Sequence, residues 1–504
     1  MHSALFDVLP EIFEHVPQSS LPGIMRTNKD FFDPAARKLW AQCRTLTHLV
    51  MCLPASCLQY PYKPFGRGCL IIVTRDFTEE DVARFWLYAC LVRELQFYPN
   101  HIGVDHGSLK RIQGALPQQG ALLFRNLKAL FYGGPSAWSQ FLPQLVPPTL
   151  SGIHINLVPA SPLDFFEPHP EAPIEFAVLE AQKRRTTPAI TSLTLSCMSG
   201  QVQSLQNFIR GWDSLEQLVV MSDMDATTLA TIAALPRLRH LSLSSPLSGL
   251  PMLASAPRAC ATRDSLQSLS FLFHATEAGT VVTVLEALGR VRITEVSMTF
   301  KTDIEVDMVG TICEAIRGCC ALEELRKIYL CSSFFAGNKE AARSGTWTLD
   351  DLRPLLDYRN AMDVTIHPPK TFAVCGDDLG RMAEAWPFLE TLRLKQNTAD
   401  LPSCTLSGLI PLARCATRLR ELSISVDATT PAIADDELAA CPAQKSLVSL
   451  DVQLSPISAP EDVAKNLFRL FPRLEKVKVQ SGGDGEVEKL RCRLWKDVGT
   501  AMTA

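Results

Sequence analysis

Sixteen Cys, ten His and three adjacent Asp pairs are the side chains of this chain best suited to chemistry. Structural metal sites ask for Cys two residues apart, or for Cys and His at finger spacing. No Cys-x-x-Cys pair occurs, and no Cys/His cluster has finger spacing. Cys319 and Cys320 are adjacent and read either as a redox pair or as packed thiols, since a free Cys behaves as a small hydrophobe. Asp350-Asp351, Asp377-Asp378 and Asp435-Asp436 diverge on a helix and face opposite ways on a strand, so they make poor shared acid/base pairs. Helix starts, where the dipole favours carboxylates, are the better expectation. The phosphate loop Gly-x-x-x-x-Gly-Lys-Ser/Thr, the zinc motif His-Glu-x-x-His and the nucleophile elbow Gly-x-Ser-x-Gly are all missing. No catalytic residue, cofactor site or metal ligand is assigned, and the chain is expected to be a non-catalytic binding subunit. An enzyme built on its surface stays open as a third class, because triads assemble in space and not in sequence.

Composition narrows the partners. The formal charge of -4 provides no attraction for nucleic acid, and the longest basic run is Lys183-Arg184-Arg185. The start, Met1-His-Ser-Ala-Leu-Phe-Asp-Val-Leu-Pro, lacks a basic segment followed by an apolar run, so no secretory signal is expected. No stretch approaches ~18 uninterrupted apolar residues, so no membrane partner is expected. Scattered Cys in a long chain without a signal suit reduced thiols in the cytoplasm or nucleus.

The elements that position these residues repeat. A phrase Leu-x-x-Leu-x-Leu returns about every 23 to 30 residues. Clear copies begin at Leu215, Leu238, Leu266, Ile293, Leu389, Leu419, Leu447 and Leu474, and weaker ones at Leu46, Val92, Leu127, Leu150 and Ile190. Irregular candidates lie near Leu322 and Ala361, which brings the total to about fourteen units. A period in this range predicts an α/β leucine-rich-repeat solenoid, with parallel strands on a concave face and helices on a convex one. Each repeat buries its apolar face against its neighbours, so 504 residues need not divide into several globular cores. Thr228 to Leu235, Val281 to Leu288 and Met308 to Ile316 carry helical spacing. Cys260, Cys320, Cys415 and Cys441 fall shortly before strands and suit packing at that corner. Pro-rich or Gly-rich departures at 53–70, 156–189 and 332–348 predict loops, and a closing helix is expected from Val487 to Val498.

Strand alternation sends every second residue outward. The outward set includes Ser192, Thr194, Ser196, Ser242, Ser244, Ser268, Ser270, Ser297, Thr299, Ser423, Ser425, Ser449, Lys476 and Lys478. Its candidate contact residues are His240, Thr391, Arg393, Lys395, Glu421 and Asp451. The centre is dominated by Ser and Thr, and charge returns toward the carboxyl end. Large hot-spot types are scarce there, so the sequence names no target.

The first 45 residues do not follow the period. Asp7 suits the cap of a helix through Leu9, Ile12, Phe13 and Val16, ended by Pro17. Ser20 suits the cap of a second helix with Leu21, Ile24 and Met25. Asp33-Pro34 predicts the start of a third, carrying Ala35, Ala36, Leu39 and Trp40. Such a unit is too small to be stable alone and needs a neighbour over its apolar faces. Leu9-Pro-Glu-Ile-Phe-Glu-His-Val16, then Leu21 and Met25, then Phe31-Phe-Asp-Pro-Ala-Ala-Arg-Lys-Leu-Trp40 resembles an F-box. The whole chain is similar to fungal F-box proteins with leucine-rich repeats. Pro22 and Gly23 in the second helix, and Arg26-Thr-Asn-Lys-Asp-Phe-Phe after it, depart from the family pattern. The resemblance implies a substrate-recognition subunit of a cullin-RING (SCF-type) ubiquitin ligase. Residues 1–45 would dock a Skp-type adaptor and its cullin complex, and residues 46–504, with irregular early repeats and a carboxyl-terminal cap, would hold an unidentified target protein. It places Leu9, Pro10, Ile12, Phe13, Leu21 and Met25 in the adaptor contact. Each of them equally suits packing inside the module, and a repeat scaffold with no ubiquitin-ligase role stays open beside this reading.

Overall fold

A computed structural model of the chain describes residues 8–9, 11–60, 71–97, 104, 106–115, 122–133, 145–156, 190–196, 202–221, 224–244, 265–274, 277–301, 304–332, 346–369, 371–395, 402–430, 433–480 and 485–503. It forms two compact units, Met1–Asp223 and Met224–Ala504.

The first unit opens on the helical module. Residues 11–14 are helical, and α1 (Leu21–Thr27) and α2 (Lys29–Ala41) follow. The cap expected at Asp33 lies five residues too late. Asn28, in extended geometry, accepts the Asp30 N–H through its side chain at 3.0 Å, so α2 begins at Lys29 and Pro34 sits inside it. A good cap outweighs the one backbone bond that Pro34 forgoes. Leu9, Phe13, Leu21 and Ala35 form the buried centre, with Val16, Ile24, Met25, Phe31 and Leu39 packed round it. Phe13 and Phe31 meet edge to face, and the Lys38 ammonium donates to the Glu14 carbonyl.

A parallel sheet follows directly. Its strands are β1 (Gln42–Cys43), β2 (Glu94–Phe97), β3 (Ala129–Gly133), β4 (Gly152–Asn156), β5 (Ser192–Ser196) and β6 (Gln217–Met221), each paired with the next. The phrase beginning at Leu46 is not a strand. Thr45 caps it by accepting the Thr47 N–H, and Leu46–Val50 forms helix α3, while the strand lies just ahead at Gln42–Cys43. Helices α4 (Glu79–Ala89), α5 (His106–Gly114) and α6 (Val202–Ile209) fall between strands. A reciprocal capping box of Thr78 and Asp81 starts α4.

Beside a short parallel pair at Trp347–Thr348 and Phe372–Ala373, the second unit carries nine strands of a long parallel sheet among its described residues. They are β7 (His240–Leu243), β8 (Ser268–Phe273), β9 (Glu295–Phe300), β10 (Lys327–Ser332), β11 (Asp363–His367), β12 (Thr391–Leu394), β13 (Glu421–Ile424), β14 (Ser449–Asp451) and β15 (Lys476–Lys478). Parallel neighbours need a crossover to bring the chain back to the same end of the sheet. Helices between strands include α7 (Ala226–Ala233), α8 (Ala278–Leu288), α9 (Val306–Cys319), α10 (Gly376–Ala385), α11 (Ile410–Cys415), α12 (Asp435–Ala440) and α13 (Pro460–Leu470), and α14 (Glu486–Thr503) closes the unit. The expected helical stretches at 228–235, 281–288, 308–316 and 487–498 fall on α7, α8, α9 and α14, give or take a few residues.

The repeat phrase has a mechanical meaning. From β2 onward each strand of the long sheet begins two residues after the first apolar residue of its phrase, and burial alternates along strands such as β8 and β9. One carbonyl just before a strand accepts two successive N–H groups of the next repeat. Arg93 accepts Lys128 and Ala129, Gln267 accepts Thr294 and Glu295, and Glu390 accepts Arg420 and Glu421. Inside the second unit Phe273, Phe300 and Trp347 form an edge-to-face ladder with centroids 5.0 and 6.1 Å apart. Three buried aromatic polar atoms end on backbone: Tyr358 donates to the Ile316 carbonyl at 2.9 Å, Trp386 to Leu355 at 3.2 Å and Trp495 to Ser455 at 3.0 Å. These bonds meet the demand that buried donors be satisfied.

Candidate functional site

Strand register lays the outward residues of the second unit in rows. One row runs His240, Ser268, Glu295, Lys327, Asp363, Thr391, Glu421, Ser449 and Lys476. The next runs Ser242, Ser270, Ser297, Tyr329, Thr365, Arg393, Ser423, Asp451 and Lys478.

A polar network crosses the middle of these rows. Arg393 is a fork: one guanidinium nitrogen reaches Asp363 at 3.2 Å and the other reaches Glu421 at 2.8 Å. Asp363 also accepts the Tyr329 hydroxyl at 3.0 Å. Burial, then the neighbouring Asp363 carboxylate, push the Tyr329 hydroxyl well above its ordinary range. Lys327 lies 3.7 Å from Glu295 at the edge of the network. Between Tyr329 and Arg393 sits Thr365, outward by register yet buried, with no partner for its hydroxyl among the described residues. Thr391, Arg393, Lys395, Glu421 and Asp451 therefore lie on neighbouring strands, whereas His240 stands five strands from Arg393.

Sequence reasoning missed Tyr329, Asp363 and Thr365. The irregular copy was placed near Leu322, but the strand follows Leu325-Arg-Lys-Ile328-Tyr-Leu330, which puts Tyr329 outward. The copy near Ala361 holds, as Ala361-Met-Asp-Val364-Thr-Ile366, and its odd positions carry Asp363 and Thr365. Tyr329 thus joins Arg393 as a second large hot-spot type in these rows.

Ser244, Ser423 and Ser425, expected outward, are buried. For Ser423 the cause is Gln453, at positive φ (54°), whose buried amide donates to the Leu394 carbonyl at 2.7 Å and to the Ser423 hydroxyl at 3.2 Å. Ser423 in turn donates to Asp451 at 3.1 Å.

In the first unit Leu9, Phe13 and Leu21 are buried and Met25 is partly buried, while Ile12 is 50% exposed and Val8 47%. Pro10 lies outside the described residues, as do Cys260, Lys183-Arg184-Arg185 and most of the expected loops at 156–189 and 332–348. On the sheet, Phe131 and His154 stack at 4.2 Å with planes 6° apart, and burial lowers the His154 pKa.

The other chemistry-bearing groups do not converge. Asp377 and Asp378 lie in the first turn of α10, Asp435 and Asp436 begin α12, and Asp350 and Asp351 begin a 3-10 helix. Cys319 and Cys320 are buried, and Cys415 and Cys441 are half-buried near helix ends. A shallow groove of about 670 Å³ runs past Cys375, Asp377, Arg414 and Asp436. Among the described residues no group of three or more His, Cys, Asp or Glu is placed to hold a metal ion, and no helix is long and apolar enough to cross a membrane.

No family model matches the chain, and no curated protein matches its sequence. Among solved structures it is similar to an internalin (inlF) from Listeria monocytogenes str. 4b F2365, at 11% identity and a TM-score of 0.37, covering 94% of each chain. It is also similar to a chain of the mouse RP105/MD-1 complex, at 14% identity and a TM-score of 0.38, covering 78% of this chain and 64% of that one.

Proposed function

We propose that this leucine-rich-repeat protein is a substrate-recognition subunit of a cullin-RING (SCF-type) ubiquitin ligase. Its amino-terminal helices would hold a Skp-type adaptor and its repeats a target protein, in the cytoplasm or nucleus. In that role the chain does no chemistry; it supplies proximity by carrying both contacts on one chain. The observation that carries the reading is a split in burial among the residues ahead of α1. Leu9 and Phe13 close a core with Leu21 and Ala35, while Val8 and Ile12, four residues apart, are left exposed. An apolar pair held out by a completed core suits a protein contact. The F-box resemblance of the first 45 residues supplies the kind of partner.

The test is co-purification of the full chain with a recombinant Skp-type adaptor. Ile12→Asp is expected to abolish the complex without unfolding the protein. Failure of the intact chain to bind adaptor would sink the reading.

One observation favours a second reading, a repeat scaffold in which the module is only a cap. α2 runs straight into β1, the Ala41 carbonyl accepts the Arg93 N–H at 2.9 Å, and Trp40 stacks on Tyr88 at 4.7 Å. On that reading removal of residues 1–45 unfolds the first strands, and no adaptor is recovered.

A further inference from the structure

We infer that the last strands of the second unit, β12 to β15, take an acidic segment of the target protein. The inference rests on the target-binding role proposed above and adds the chemistry of what is bound.

Charge decides the sign. Outward positions on these four strands hold four cations, Arg393, Lys395, Lys476 and Lys478, against two carboxylates, Glu421 and Asp451. Both carboxylates are engaged from within. Glu421 is held by Arg393 at 2.8 Å, and Asp451 accepts the Ser423 hydroxyl at 3.1 Å and the Gln453 N–H at 3.0 Å. Lys395, Lys476 and Lys478 are exposed, and among the described residues no carboxylate lies within ion-pair reach of them. The unspent charge of this face is therefore positive, in a chain whose formal charge is -4.

Spacing decides the shape of the ligand. Lys476 and Lys478 stand two residues apart on one strand, about 7 Å. Lys395 is three strands away and two residues further along than Lys478, roughly 16 Å from it at the usual spacings. About five residues of extended chain span that distance. Between them the Gln453 amide covers Ser423, so a crossing chain passes over that amide and not over bare sheet. Glu421 and Asp451 line the same path. Closely spaced backbone phosphates would be repelled there, whereas a peptide can place its carboxylates over the lysines alone. A protein segment is favoured over nucleic acid on that ground.

The test uses the full-length protein and a fluorescein-labelled peptide of alternating Glu and Ser, read by fluorescence anisotropy. A Lys/Ser peptide and an oligothymidylate of matched charge serve as controls. The acidic peptide is expected to bind at low salt, and binding is expected to weaken about tenfold in the Lys395→Glu/Lys478→Glu double variant, the size of two surface charge pairs. Lys476→Glu provides an independent variant, and unchanged melting of each exposed-lysine variant checks the fold. Absence of binding, equal affinity in the variants, or tighter binding of the oligothymidylate overturns the inference. Adaptor co-purification keeps the two readings apart. Peptide binding lost while adaptor is retained defeats only this inference, and adaptor lost while peptide binding remains defeats only the ligase role.

Discussion

Tyr329 donates its hydroxyl to Oδ2 of Asp363 at 3.0 Å, from one strand of the second unit's sheet to the next. Arg393 approaches the other oxygen of that carboxylate at 3.2 Å, so one acid joins three strands. The pair explains how an aspartate sits half-buried on a sheet face: each oxygen meets a donor, which offsets the cost of burying the charge.

Tyr329→Phe is therefore expected to cost about 1 kcal/mol, the net worth of one such bond. Combined with Asp363→Ala the losses should fall short of additive by a similar amount in a double-mutant cycle. Strict additivity would show that the bond contributes nothing. The same pair sets an alkaline limit. Burial and Asp363 raise the Tyr329 pKa above its ordinary 10.0, so the native state keeps the proton longer than the unfolded chain. That stability is complete below pH 10 and is lost as pH rises toward the native value. Denaturant melts in alkaline buffers should show a shallower loss in Tyr329→Phe.

His154 gives the opposite sign in the first unit. Stacked on Phe131 and partly desolvated, it has a pKa below the ordinary 6.5. The native state binds its proton less readily than the unfolded chain. Its contribution is present above pH 6.5 and is lost as pH falls through 6.5 toward the native value. Urea melts at pH 7.5 and pH 5 should show this loss in the wild type and a smaller one in His154→Phe.

The strands were legible because their signal is local. Leu392 and Leu394 face the core and Arg393 does not, and the two-residue period says so without any tertiary information. Leu46 failed because its spacing suits either a strand or a helix turn, and Thr45, a cap, decided the matter. Ser423 failed for a different reason. Its burial depends on Gln453, thirty residues on, whose backbone turns into the left-handed region and brings its amide back over the sheet. Alternation carries no information about such a return. Asp363 was missed although the copy near Ala361 carries it, because its bonds to Tyr329 and Arg393 appear only once three strands are in register.

Two glycines mark where neighbouring repeats touch backbone to backbone. A Cβ on Gly376 would lie 2.8 Å from Cα of Gly408, and one on Gly408 would lie 2.8 Å from Sγ of Cys404. Backbone cannot move aside as a side chain can. Gly376→Ala is expected to cost about 1 to 3 kcal/mol, the range of overpacked sites. Gly408→Ala should be partly rescued by Cys404→Ala, which removes the sulfur. Gly310, inside α9, offers the contrast, since a Cβ there would meet only the Asp351 carbonyl at an ordinary 3.7 Å. Gly310→Ala should stabilise by up to about 1 kcal/mol through helix propensity. Thermal melts of the three variants check the ordering, and a stable Gly376→Ala would refute the close contact.

Leu9 and Ile12 lie three residues apart, each in helical backbone, and burial separates their roles. Leu9 is 5% exposed within the module's core, and Ile12 is 50% exposed outside it. Leu9→Ala removes buried methyl groups from a cluster of four residues and is expected to cost about 2 to 5 kcal/mol. Ile12→Ala should change stability by no more than about 0.5 kcal/mol, as substitutions at exposed positions do. Adaptor binding is expected to respond the other way round for its cause. Ile12→Ala should weaken it with the fold intact, because a contact is lost, while Leu9→Ala should weaken it only as far as the module unfolds. Circular dichroism melts beside adaptor titrations of the same samples separate the two. A module that binds adaptor equally well with Ala at position 12 would mean that Ile12 is not part of the contact, and would leave capping of the first strands as the use of the exposed pair.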